Sequence, residues 1–378
     1  MKRRIFMKAA ALGTFGALWG GHVGAQSVAL EPAETQGGKK WFDLEKVPLE
    51  GRAWTDEERL APYDRFPKRW MEKIPGGVAA NARHSAGMAL RFSTNSKNIW
   101  IRYENTSSDL AMYHMSALGK SGFDLYGRDD DGTFRYIKAI QAGAKAEALI
   151  GEGLPSEKMR EYILYFPLYN GVRSAFVGVS EDAEFQLVAR SEKPILFYGT
   201  SIVHGACASR PGMPHPAILA RRLDLPFWNF GFSGCGKMER IMADAFGELD
   251  PSVYVIDCLP NMNPNLVAQN AYPFVKRLRE LRPATPIVLV EDRVFPCSWT
   301  QPGRAQFHRD NHAALKKVYE NLLADGVTNL FYILGEALLP PDGEGTADNS
   351  HPNDYGFVYQ ANAMEPTLRK ALGRGAAE

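Results

Sequence analysis

Four polar clusters in the second half of the chain, the first three each ending an apolar run, carry a set of groups suited to cleaving an ester. They are Pro194-Ile-Leu-Phe-Tyr-Gly-Thr-Ser201, Asn229-Phe-Gly-Phe-Ser-Gly234, Ile256-Asp-Cys-Leu-Pro-Asn261 and Asp348-Asn-Ser-His351. A serine hydroxyl becomes a nucleophile only when a base takes its proton. Histidine suits that task because it titrates near neutrality. An aspartate three residues before His351 can hold one ring nitrogen while the other faces Ser201. Acyl transfer also needs donors for the developing oxyanion. The candidates are the backbone N–H of Gly234, the side-chain amide of Asn261 and the backbone N–H of Ser201.

Each residue alone has an ordinary structural role. Ser201 could cap a helix, Gly234 could make a turn, Asn261 could precede a helix, and Asp348 could close an Asx-turn. Ser201 is also outside a GxSxG elbow, since position 203 is Val. The order Ser, Gly, Asn and Asp-x-x-His at successive strand ends carries the inference. Secondary candidates are Arg210, Arg293 and His204, expected as substrate contacts, with loop-stapling an equal alternative for Arg210. Glu291 and Asp292 are expected to brace the site through hydrogen bonds or an ion pair to Arg293. His308 and His312 stand four apart but have no third ligand nearby, so a solvated helix face is expected rather than zinc. No metal or organic cofactor is expected.

These residues need elements to hold them. From about Lys193 onward, apolar strands are expected at 194–199, 227–232, 253–259, 286–291 and 329–334. They alternate with helices at 214–223, 237–247, 264–281, 303–324 and 356–372. That alternation predicts βαβ units and a parallel sheet, whose strand ends line up along one edge, where ligands bind. Residues 41–190 read differently. Met88-Ala-Leu-Arg-Phe-Ser-Thr and Asn98-Ile-Trp-Ile-Arg-Tyr-Glu alternate apolar and polar positions, which predicts half-buried strands of a sandwich or jelly roll. Its aromatics Trp100, Tyr103, Tyr113, Phe123 and Tyr126 could form core or a shelf for sugar rings.

The 378 residues carry a formal net charge of +1 and are 45% hydrophobic, which argues for a well-packed core and against nucleic acid as the main partner. Lys2-Arg3-Arg4-Ile5-Phe6-Met7-Lys8, the short apolar stretch to about Gly20 and the small residues Val23-Gly24-Ala25 describe a twin-arginine export signal over 1–25. Residues 26–40 read as an irregular linker. A periplasmic or secreted protein is expected, with no stable membrane insertion after cleavage. The four cysteines, Cys207, Cys235, Cys258 and Cys297, permit a Cys207–Cys235 bridge, but free buried thiols are expected.

The four clusters resemble the blocks of the SGNH (GDSL-type) esterase and acylhydrolase superfamily. The first block reads Gly199-Thr200-Ser201 where Gly-Asp-Ser is usual. The second matches Gly234. The third, Leu259-Pro-Asn261-Met, lacks the family's glycine and second acid. The last matches Asp348-Asn-Ser-His351. Ser121-Gly-Phe-Asp-Leu-Tyr126 is similar to the GxDLY motif of an accessory β-domain, and Cys207-Ala-Ser-Arg-Pro-Gly212 and Glu291-Asp-Arg293 also look like that subgroup. The resemblance implies a β-sandwich over 41–190 and a three-layer α/β/α, flavodoxin-like SGNH domain over 191–374. It implies a catalytic Ser201, Asp348 and His351 with an oxyanion hole from Ser201, Gly234 and Asn261. Because two-domain members are often carbohydrate deacetylases, it also implies a small-molecule or polysaccharide acetyl ester as substrate. A lipase or lysophospholipase of the same superfamily and a non-catalytic glycan-binding protein are the alternatives.

Overall fold

A computed structural model describes residues 26–375. The expected export signal therefore lies outside the described residues. The first half builds two facing antiparallel sheets. One runs Gln26–Ala29, Phe185–Ala189, Ala89–Thr94, Arg160–Tyr165, Phe123–Arg128 and Phe134–Ile140 in spatial order. The other runs Glu34–Gln36, Lys39–Asp43, Val172–Ser180, Ile99–Asn105 and Lys145–Gly151. Strand Ile99–Asn105 alternates buried and half-buried positions along its length, as one covered face requires. The inward residues Phe42, Phe92, Tyr103, Phe123, Tyr162 and Val177 join in one core.

Two expectations about this half fail. Residues 26–40 are not an irregular linker, because Gln26–Ala29 pairs with Ala189 to Gln186 and Glu34–Gln36 pairs with Lys39–Asp43. Short polar edge strands carry too little apolar signal to be read from sequence. Part of the stretch between Asp43 and Ala89 also leaves the sandwich, although its Leu44, Val47, Leu49, Tyr63 and Met88 stay in the sandwich core. Its Phe66, Trp70, Ile74 and Val78 pack against Phe230, Phe232 and Phe246 of the second half.

The second half is a five-stranded parallel sheet in the order Phe227–Gly231, Ile195–Gly199, Val253–Asp257, Ile287–Val290, Leu330–Ile333. Every position of Ile195–Gly199 and Val253–Asp257 is buried, because helices cover both faces. Helices Arg240–Gly247, Pro264–Leu281 and Pro302–Ala324 pack on one side, and His215–Leu223 and Asp354–Ala371 on the other. The fold is thus a three-layer α/β/α domain preceded by an all-β domain, as expected. The first strand in sequence, Ile195–Gly199, is an interior one, second in the order. The next strand in sequence lies on one side of it and the third lies on the other, so the order reverses there. The carboxyl end of that strand is the switch point where such sheets form a crevice.

The halves are tied by charge as well as packing. The Asp224 carboxylate meets Arg91 at 2.8 Å, Arg128 at 2.9 Å and Arg190 at 2.9 Å. Burial opposes its charge, but these guanidinium groups hold the carboxyl well below the usual range.

Candidate active site

Ser201 begins a one-turn helix, Ser201–His204, directly after strand Ile195–Gly199. Thr200 rather than Ser201 is the N-cap, its side chain accepting from the Ile202 N–H at 3.2 Å. The Ser201 hydroxyl is thereby left for other work. Tyr169, from the sandwich half, donates its hydroxyl to the Ser201 carbonyl at 3.2 Å and fixes the turn from behind.

The Ser201 Oγ lies 2.8 Å from His351 Nε2. The other ring nitrogen, Nδ1, lies 2.7 Å from Asp348 Oδ2. Asp348 Oδ1 accepts from the backbone N–H of Ser350 and of His351 at 3.1 and 2.8 Å. Burial raises the cost of its charge, yet these N–H donors and the imidazole bring its carboxyl below the usual range. Asn349, with φ 71°, makes the tight turn between them. Its side chain accepts from the Cys297 N–H at 2.9 Å, which pins the loop to the segment after the fourth strand. A hydroxyl, an imidazole and a carboxylate in one chain can move a proton off the hydroxyl and hold the resulting imidazolium.

The turn after the second strand folds over the first. Phe232 donates its N–H to the Gly199 carbonyl at 3.0 Å. A Cβ on Gly236 would stand 2.0 Å from that same oxygen, so only glycine allows the approach. Gly234 sits in this turn with φ 70° and open space where a Cβ would be. Asn261, in the short 3-10 turn Leu259–Asn261 after the third strand, lies against it. With its side-chain oxygen toward the N–H groups of Cys235 and Gly236, at 3.1 and 3.2 Å, its NH2 turns off that wall. All the residues expected at the chemistry, Ser201, Gly234, Asn261, Asp348 and His351, therefore sit beyond the strand ends at one edge of the sheet.

The secondary candidates do not join them. Arg293 is fully buried and makes a two-pronged pair with Asp257 at 2.6 and 2.5 Å. It is an internal tie under the strand ends rather than a substrate contact. His204 is also fully buried, its Nε2 2.7 Å from the Leu168 carbonyl and its ring stacked on Tyr169. Burial drives it well toward the neutral form. Arg210 lies over the Tyr136 ring and pairs with Asp124 at 3.1 Å, so it staples the two halves. Neither Glu291 nor Asp292 makes a side-chain ion pair with Arg293, although the Arg293 charge and backbone N–H act on the Asp292 carboxylate. Glu291 accepts from Tyr332 Oη and the Gly335 N–H. Asp292 is buried beside His308, and burial raises its carboxyl to about 7. The helix that carries His308 buries that ring instead of exposing it. All four cysteines are free thiols.

Sequence reasoning missed His114. It projects from a loop of the sandwich half, its ring edge-on to His351 at 5.5 Å between centroids. Tyr113 stacks on it at 4.1 Å and is 91% exposed. Of the aromatics left open above, Tyr103 and Phe123 are core, Tyr126 is buried against Arg210 and Arg221, and Tyr113 stands in solvent. No local spacing marks His114, because its partner is a domain away.

Residues 192–369 match the GDSL-like lipase/acylhydrolase family. Residues 39–185 match the family described as the N-terminus of esterase SGNH hydrolase-type proteins. No curated protein matches the chain. A GDSL-like lipase from Bacteroides ovatus shares 30% identity and a TM-score of 0.84, over 90% of this chain and 100% of that one. The salicylyl-acyltransferase SsfX3 of a tetracycline biosynthetic pathway shares 22% identity and a TM-score of 0.68, over 92% and 98%. An acetyl xylan esterase from the rumen bacterium Butyrivibrio proteoclasticus shares 14% identity and a TM-score of 0.54, over 89% and 99%. The latter two share the fold. Given the family matches over both halves and a relative of 30% identity along nine-tenths of its length, this chain belongs to the GDSL-like lipase/acylhydrolase family and is a hydrolase of the SGNH esterase type.

Proposed function

We propose that the protein is an exported serine esterase that removes short acyl groups, acetyl above all, from carbohydrates. The observation that carries this is the unbroken chain from Ser201 Oγ through His351 to Asp348, at 2.8 and 2.7 Å. Ser201 attacks the ester carbonyl while His351 Nε2 takes its proton. Asp348 holds Nδ1 and offsets the imidazolium charge. The Ser201 and Gly234 N–H groups and the Asn261 amide stabilise the oxyanion. His351 then protonates the leaving alcohol, and water, activated by the same imidazole, hydrolyses the acyl-enzyme.

Two features support a saccharide as the alcohol. Tyr113, 91% exposed, stacks on the ring beside His351. Trp299, 87% exposed, lies two residues beyond Cys297, which is bonded to Asn349 in the catalytic loop. Large exposed aromatics beside a site mark a binding surface. Carbohydrate esterases with this fold supply a second support. The leader sequence supports export to the periplasm, and among the described residues no helix is long and apolar enough to cross a membrane.

The test is acetate release from a panel of acetylated polysaccharides, with Ser201→Ala as control. Release that the variant abolishes is expected. Equal release by both proteins, or activity confined to long-chain esters, would defeat the proposal.

A further inference from the structure

We propose that His114, Cys207, Asp348 and His351 form a zinc site that switches the esterase off when the ion binds. The four come from three separate segments, one of them in the sandwich half. Each offers a donor atom, and these atoms all lie within 4.8 Å of one another. A tetrahedral zinc centre, with about 2.0–2.1 Å to nitrogen and 2.3 Å to sulfur, spaces its ligands about 3.3–3.7 Å apart. About 1 Å of closure completes the site. Asp348 and His351 are partly exposed and stand on a surface loop, so they can supply it.

The donor chemistry selects the metal. One thiolate, two imidazoles and one carboxylate suit zinc, whereas calcium and magnesium need a shell of oxygens. The two anionic ligands neutralise the charge of one divalent ion. His114 Nδ1 is buried and has no hydrogen-bond partner, so ligation sacrifices nothing there. Cys207 is held protonated at ordinary pH, burial and the Asp348 carboxylate pushing its thiol up to about 12. Binding therefore expels that proton to solvent as the zinc–sulfur bond forms.

Inhibition follows from what His351 must give up. Nδ1 bonds Asp348 and Nε2 bonds Ser201. Whichever nitrogen takes the metal, one of those bonds is lost and the imidazole can no longer shuttle the serine proton. This consequence rests on the esterase reading; the metal site itself does not.

The experiment uses the full chain and two readouts. Cobalt(II), replacing zinc, should give a thiolate-to-cobalt charge-transfer absorption. That band should persist in Ser201→Ala, which does not turn over, and vanish in Cys207→Ser. Zinc should inhibit p-nitrophenyl acetate hydrolysis and a chelator should restore it. Each rate is normalised to the same variant without metal. The half-inhibiting zinc concentration should rise about tenfold or more in Cys207→Ser and in His114→Gln. Absence of the cobalt–thiolate band in the unaltered protein would overturn the site. Unchanged zinc sensitivity in both variants would overturn the switch. A protein that shows the band but hydrolyses no ester would retain the site and lose the esterase reading.

Discussion

Asp124, in the sandwich, accepts the backbone N–H of Gly212, in the loop that follows Ser201, at 2.9 Å. The aspartate of the Gly122-Phe-Asp-Leu-Tyr126 motif thus reaches across the domain boundary. It is fully buried and also pairs with Arg210. Burial raises its carboxyl, although Arg210 and the Gly212 N–H pull the other way. Asp124→Asn leaves Arg210 without its partner charge. A loss of about 1–3 kcal/mol in urea unfolding is expected. A change below about 0.5 kcal/mol would make the contact incidental.

Ser201→Ala and His351→Ala should each remove most turnover of an acetyl ester. The double variant should be scarcely worse than either, because the proton cannot move unless both are present. Steady-state rates decide this. Additive losses, or a Ser201→Ala enzyme of undiminished activity, would remove Ser201 as the nucleophile.

Asn261→Ala should lower kcat by about 10²–10³ with a smaller effect on KM, since an oxyanion donor acts on charge that exists only in the transition state. A loss under about threefold would return Asn261 to a turn-bracing role beside Cys235 and Gly236.

Tyr113→Ala and Trp299→Ala should separate large substrates from small ones. Both side chains are almost wholly in solvent, so truncation costs little stability. KM for an acetylated polysaccharide should rise about tenfold, the loss of one good aromatic contact, while p-nitrophenyl acetate hydrolysis stays constant. Equal effects on both substrates would sink the saccharide platform.

Asp224 gives an acid-sensitivity prediction. Its native carboxyl is held well below the ordinary value, with burial outweighed by Arg91, Arg190 and Arg128. The stability it contributes is present above the unfolded-state value of about 4 and is lost as pH falls through the lower native one. Asp224→Asn should therefore be less stable than the parent at pH 7, and the difference should shrink between about pH 5 and pH 2. Denaturant unfolding across that range checks it; a pH-independent difference would contradict it.

The parallel sheet was legible because strands buried on both faces, such as Ile195–Gly199, are continuously apolar. That Ser201, Gly234, Asn261, Asp348 and His351 lie along one edge was legible because strand ends converge in such a fold. What escaped were residues whose partners are remote. Arg293 follows a strand as a pocket residue would, but only the structure reveals the buried Asp257 carboxylate that claims it. His204 sits three residues from Ser201, yet its ring is claimed inside by the Leu168 carbonyl and the Tyr169 ring, both far off in sequence. The stretch carrying Phe66 and Trp70 looked like sandwich because sequence position, not apolar pattern, assigned it there.

That stretch has a practical meaning for anyone dividing the protein. Arg65 is buried and donates to the carbonyls of Asn229 and Gly231, in the strand just ahead of the Gly234 turn. A fragment starting near residue 190 would expose an aromatic wall and unclamp that strand. Chimeras should exchange the outer sandwich strands and leave the excursion with the hydrolase.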